Sequence, residues 1–215
     1  MTQTVLFILE IIGTISFTVS GSIIAIKRSL DIFGVCFVGG ITAVGGGIIR
    51  DLIIGKIPPS FFTSYHNFAI TLITSVAVFI VAYIFRRKFG ELSEKTEHIN
   101  NIFDAMGLAA FSVMGTEVAF VNGFGDNIIL SVTLGMLTGV GGGIIRDILT
   151  NSTPYVIKKH VYALASISGS LVYYLMRLTT DDTLIPSIVG IVLIFALRML
   201  ATRFLWSLPK IKLDQ

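Results

Sequence analysis

Apolar residues run in long blocks along this chain, and short polar clusters divide them. Seven blocks approach the roughly 20 residues that a bilayer crossing requires. They run from about Val5 to Ile26, Ile32 to Ile54, Phe61 to Phe85, Ile102 to Asn122, Ile128 to Leu149, Tyr155 to Leu178 and Leu184 to Leu205. The breaks carry turn chemistry: Pro58-Pro59, then Asn122-Gly123-Phe124-Gly125-Asp126, then Asn151-Ser152-Thr153-Pro154. Arg86 to Asn101 is the longest polar connection. Met1-Thr2-Gln3-Thr4 has no basic residue, and no small-x-small site follows, so the first block is expected to persist as a helix and not as a cleavable signal. The pattern predicts an all-α integral membrane protein with seven transmembrane helices, one domain over residues 1–215.

The blocks repeat. Val44-Gly45-Gly46-Gly47-Ile48-Ile49-Arg50-Asp51 returns as Val140-Gly141-Gly142-Gly143-Ile144-Ile145-Arg146-Asp147. In the first block of each half, Phe17-Thr18-Val19-Ser20-Gly21-Ser22 matches Phe111-Ser112-Val113-Met114-Gly115-Thr116. That alignment sets Glu10 against Asp104 and Gly13 against Gly107. Each repeat holds three helices, about 5–85 and about 102–178, with a seventh at about 184–205. Three is odd, so the second copy enters the membrane in the opposite sense: an inverted repeat.

Composition sharpens this picture. Charged residues make up 13% of the chain against the roughly 25% of a soluble domain. The formal charge of +3 implies no nucleic-acid partner. Of the 16 Lys and Arg, twelve fall on one side of a seven-span topology: Lys27, Arg28, Arg86, Arg87, Lys88, Lys95, Lys158, Lys159, Arg198, Arg203, Lys210 and Lys212. Lys56 and Arg177 fall on the other, and Arg50 and Arg146 lie within spans. The positive-inside rule puts the N-terminus outside and the C-terminus in the cytoplasm of a cell-membrane protein. Cys36 is the single cysteine, which leaves no disulfide framework.

The chemistry concentrates in the duplicated motif. Each glycine costs a helix roughly 1 kcal/mol against alanine. Each charge within an apolar span costs roughly 2.5–3.5 kcal/mol before pairing. Gly45, Gly46, Gly47, Gly141, Gly142 and Gly143 are candidate pore hinges, where a kink or unwound turn presents carbonyls to a cation. The other reading is close helix packing through small residues. Arg50-Asp51 and Arg146-Asp147 are candidate gateposts of two vestibules, or ties between neighbouring helices. Glu117 lies deep in its span with no obvious local partner, and Glu10 and Asp104 lie near span ends. Ser16, Thr18, Ser20, Ser22, Ser112 and Thr116 either line a polar path or bond between helices. His66, His98 and His160 make no cluster. No phosphate loop, metal-ligand spacing or nucleophile elbow is present, so no enzyme, no metal and no cofactor is expected.

Two three-helix repeats, each with Gly-Gly-Gly-Ile-Ile-Arg-Asp on its second helix, followed by a seventh helix, resemble the trimeric intracellular cation (TRIC) channel family in its prokaryotic branch. The resemblance covers nearly the whole chain. It implies a homotrimer in membrane lipid, each protomer with its own pore, permeable to monovalent cations, chiefly potassium over sodium or other ions. It also implies that the second and fifth helices kink at the glycines and border the pore. Animal members carry Lys-Glu-Val on the fourth helix, where this chain has Thr116-Glu117-Val118. Gating that depends on that lysine is therefore not carried over. Prokaryotic relatives are also labelled glycine transporters, and a secondary transporter of a small solute such as glycine is the alternative.

Overall fold

The computed structural model describes residues 2–85, 93–158 and 161–206. Arg86, Arg87, Lys88, Lys159, His160, Lys210 and Lys212 lie outside them. Helices make up the regular structure of the described residues: α1 (Thr2–Lys27), α2 (Ile32–Ile53), α3 (Tyr65–Ile84), α4 (Ser93–Val121), α5 (Ile128–Leu149), α6 (Val161–Arg177) and α7 (Leu184–Arg203). Short helical turns, Ser60–Thr63 and Tyr155–Lys158, precede α3 and α6.

Six of these, all but α6, are long and apolar enough to cross a membrane. Of the expected sixth span, Tyr155–Lys158 and Val161–Arg177 are helical. The connection before α4 also departs from expectation. It is helical from Ser93, well before Ile102, because its polar residues face protein partners: buried Asn100 accepts a hydrogen bond from Ser20 at 3.0 Å.

α2 and α5 share their end chemistry. Asp31 accepts from Gly34 N–H at 2.8 Å, and Asn127 accepts from Leu130 N–H at 3.0 Å, capping each helix start. Both helices stop at the same register. Gly55 (φ 74°) and Asn151 (φ 50°) take left-handed backbone, and Lys56 and Ser152 N–H return to the Asp51 and Asp147 carbonyls, each at 2.8 Å.

The helices α1, α2, α4 and α5 form the centre, with α3 on one flank and α6 and α7 on the other. Contacts in the centre come in pairs. Phe17 covers Gly107 while Phe111 covers Gly13, and the two rings meet at 5.3 Å. Gly21 faces the Thr42 side chain, and Gly115 faces that of Thr138. Both threonine hydroxyls bond back to their own helix, to Val38 and Leu134 carbonyls at 2.6 Å each. Leu9, Phe17, Leu108, Val113, Tyr173 and Ile194 belong to the buried apolar core around this centre.

Candidate functional site

The glycine triplets lie where α2 crosses α5. Both helices continue through them without interruption, and no triplet glycine has a positive φ. The expected unwound turn is absent, so the ladder there stays helical and does not present free carbonyls. The glycines instead divide by position. A Cβ at Gly46 would overlap the Thr138 carbonyl, and one at Gly142 would overlap the Thr42 carbonyl. One at Gly45 would press on Ile145 at 2.8 Å, and one at Gly141 would sit 3.1 Å from Ile49 and from the Gly46 Cα. These four let two backbones touch, as small residues do in membrane helix pairs. Gly47 and Gly143 differ. The nearest atom to a Cβ at Gly47 is an Arg50 guanidinium nitrogen at 3.8 Å, and at Gly143 it is the Tyr162 hydroxyl at 3.3 Å. The third glycine of each triplet therefore faces the polar groups.

Each arginine binds the aspartate that follows it. Arg50 Nε donates to Asp51 Oδ1 at 2.8 Å, and Arg146 Nε donates to Asp147 Oδ1 at 2.9 Å. The other oxygen of each aspartate takes a backbone N–H from the returning chain: Ser60 to Asp51 at 2.7 Å, Tyr155 to Asp147 at 2.9 Å. All four charges are buried.

The two halves then diverge. Arg146, 1% exposed, also donates through Nη1 to Asp104 at 2.7 Å and to Ser20 at 2.8 Å. Arg198 of α7 approaches the other Asp104 oxygen at 3.8 Å, and its guanidinium lies 4.5 Å from the centroid of the Tyr162 ring. Arg50 has no such closure, and Asp51 is its sole ion-pair partner among the described residues. Glu10, the repeat mate of Asp104, is instead bound by Asn67 Nδ2 at 2.6 Å. A vestibule of about 340 Å³ borders this half, lined by Glu10, Arg50, Asp51, Lys56 and Ser60 among others. A deeper cavity of about 40 Å³ shares Glu10, Arg50, Asp51 and Ser60 and reaches Thr14, Gly47 and Thr138. That is room for one to a few waters, at roughly 10–15 Å³ each.

Two sequence expectations need correction. Glu117 has a partner after all. Arg177 of α6 grips it through Nε at 3.0 Å and Nη2 at 3.2 Å, and the Tyr173 hydroxyl donates at 2.7 Å. It is 2% exposed and lines neither the vestibule nor the deeper cavity. Arg198, counted with the basic residues of one side, is buried in α7 against Asp104. Its setting, Phe195-Ala196-Leu197 before and Met199-Leu200 after, carried that signal. Asn67, buried in α3, was missed because a lone asparagine near a span end resembles interfacial polarity.

Of the remaining candidates, Ser112 bonds between helices and Thr116 bonds within its own, while the buried Thr18 and Ser22 hydroxyls have no hydrogen-bond partner among the described residues. Ser112 and Ser166 hydroxyls meet at 2.7 Å, and Thr116 donates to the Ser112 carbonyl at 2.9 Å. Ser16, Thr18 and Ser22 are buried in α1. His66 is bonded to Ser64, and His98 is exposed on α4. Among the described residues, no three acidic, histidine or cysteine side chains are grouped to hold a metal ion.

A family model described as glycine transporter matches residues 7–86 and 101–178. The UPF0126 inner membrane protein YadS of Escherichia coli K12 is 33% identical over 211 residues, covering 96% of each chain. A solved chain from a study of conductance through TRIC cation channels is 35% identical, with TM-score 0.82 over 97% of this chain and 98% of that one. A prokaryotic TRIC channel crystallised in 0.5 M KCl is 32% identical, with TM-score 0.85 over 96% of this chain and all of that one.

Proposed function

Because the chain belongs to the membrane-protein family described as glycine transporter, which includes UPF0126 relatives, we propose that it is a cation channel with one pore in each protomer. One observation carries the reading. The chain matches solved TRIC cation channels over 96–97% of its length, at TM-scores of 0.82 and 0.85.

The pore runs beside that crossing, bordered by α2 and α5. Gly47 and Gly143 keep it open to the polar groups, and the Arg50-Asp51 and Arg146-Asp147 pairs stand at its two ends. The reciprocal contacts support an inverted repeat, since a pair made both ways is what a twofold relation produces. In this conformation the Arg50 end has a vestibule, while Arg146 is closed in by Asp104, Asp147 and Ser20. The N-terminal vestibule faces outside, and potassium and sodium are the permeant ions. Three copies associate through their exposed apolar faces in membrane lipid.

A vestibule bordering one Arg-Asp pair also suits an alternating-access transporter of a small solute. Planar-bilayer recording of the purified protein under a potassium chloride gradient separates the two. Unitary current steps that reverse near the potassium potential are expected of the channel. Absence of steps, with saturable glycine uptake into liposomes, would establish the transporter.

A further inference from the structure

The two ends of this fold are built alike and filled differently. At one end Asp104 holds a guanidinium that does not belong to its own repeat. Arg198, from α7, approaches Asp104 Oδ2 at 3.8 Å and lies over the ring of Tyr162. At the other end the repeat mate of Asp104 is Glu10, and the mate of Tyr162 is Asn67. Arg50 lines the same cavity but pairs with Asp51, and Glu10 forms no ion pair among the described residues. The charged residues of the deeper cavity are Glu10, Asp51 and Arg50, one negative charge in excess. Arg146 and Arg198 against Asp104 and Asp147 cancel. Lys56 stands at the wider mouth and is exposed.

Asn67 is the second observation. It is 4% exposed and lines the deeper cavity, and its Oδ1 accepts no hydrogen bond among the described residues. A buried carbonyl left without a donor is costly, so a partner for it is favoured. Its Nδ2 is already committed to Glu10 at 2.6 Å and to Ser64 at 3.2 Å, so the amide orientation follows from its donors. Thr14 lines the same cavity.

We propose that Glu10 and Asn67, with Thr14, form a binding site for a partly dehydrated monovalent cation, filling the place that Arg198 fills at the opposite end. One carboxylate, one carbonyl and one hydroxyl suit a weakly held potassium or sodium ion. Calcium sites need six to eight oxygens and usually several carboxylates. The site rests on the channel reading for its role, as the first stop of an ion entering the pore. Its existence can be tested separately.

Thermal unfolding of the full chain in detergent, in potassium chloride against choline chloride at equal ionic strength, reports binding without conduction. Wild type is expected to melt higher in potassium, Glu10→Gln to lose that difference, and Glu10→Asp to keep it. In bilayers Glu10→Gln is expected to raise the half-saturating potassium concentration on the order of tenfold, equivalent to roughly 1.4 kcal/mol of lost attraction. Asn67→Leu, which keeps the volume and removes the carbonyl, is expected to raise it too. Conducting wild type with unchanged half-saturation in both variants overturns the site and spares the channel. A silent wild type whose potassium stabilisation vanishes in Glu10→Gln supports the site and removes the channel. If Glu10→Gln fails to assemble, Asn67→Leu decides: an unchanged half-saturation overturns the site.

Discussion

Asp104 and Glu117 are buried carboxylates on one helix, yet each answers to a different arginine. Asp104 is shared by Arg146 and Arg198. Replacing it with asparagine leaves two buried guanidiniums short of their counter-charge, a change that typically costs about 3–5 kcal/mol. We expect Asp104→Asn to lower the melting temperature in detergent sharply, and Arg198→Met added to it to recover part of the loss. If the single substitution melts like wild type, the cluster does not hold the fold. Glu117 is gripped by Arg177, and the pair contributes little net field to a path it does not line. Glu117→Gln is therefore expected to reduce thermal stability and leave the reversal potential under a potassium gradient unchanged. A shifted reversal potential in well-folded protein would place this carboxylate back on the ion path.

At the scale of elements, the crossing of α2 and α5 sets the spacing of everything around it. Gly46 and Gly142 each meet a carbonyl of the partner helix, so an added methyl must push the helices apart. Overpacking of this kind costs about 1–3 kcal/mol or more. Gly46→Ala and Gly142→Ala are expected to impair assembly and melting temperature first. Gly47→Ala has space and should assemble, Gly143→Ala requires the buried Tyr162 hydroxyl to give by a few tenths of an ångström, and each raises helix propensity by roughly 1 kcal/mol. In these two variants, flux per assembled protein isolates any contribution of helix bending to conduction. A fall there supports bending as part of opening, and normal flux in the double variant assigns the triplets to packing alone.

Across the whole molecule, the asymmetry between the ends comes from α7, which has no counterpart in the repeat. It carries Arg198 to one end and leaves the other with an uncompensated carboxylate. For the orientation of that asymmetry, the sequence assignment of twelve basic residues to one side of a seven-span topology and two to the other predicts a cytoplasmic Arg198 end. Without the buried Arg198, eleven against two leaves the bias intact. Reporter fusions at Glu94 and Gln215 are both expected to report cytoplasm. Opposite readings would remove a crossing from the seven-span topology.

The chain's own letters determined six membrane-length helices, the duplicated motif and the register of the two Arg-Asp pairs. These are local properties. Apolar length sets where a helix crosses, and α2 and α5 end where a left-handed residue follows the motif. Which glycines pack and which face polar groups was not legible, because that depends on how α5 is rotated against α2. The partners of Arg146, Glu117 and Asp104 were equally hidden. Ser20 and Arg146, for example, bond across 126 residues of chain, and no local pattern relates them. Buried charges find partners by proximity in space, and proximity was decided by the stacking of α1, α4, α6 and α7 around the crossing. Hydrophobicity acts residue by residue and can be summed along a sequence. Charge pairing in a low-dielectric interior acts between neighbours in space, so only the tertiary structure could assign it.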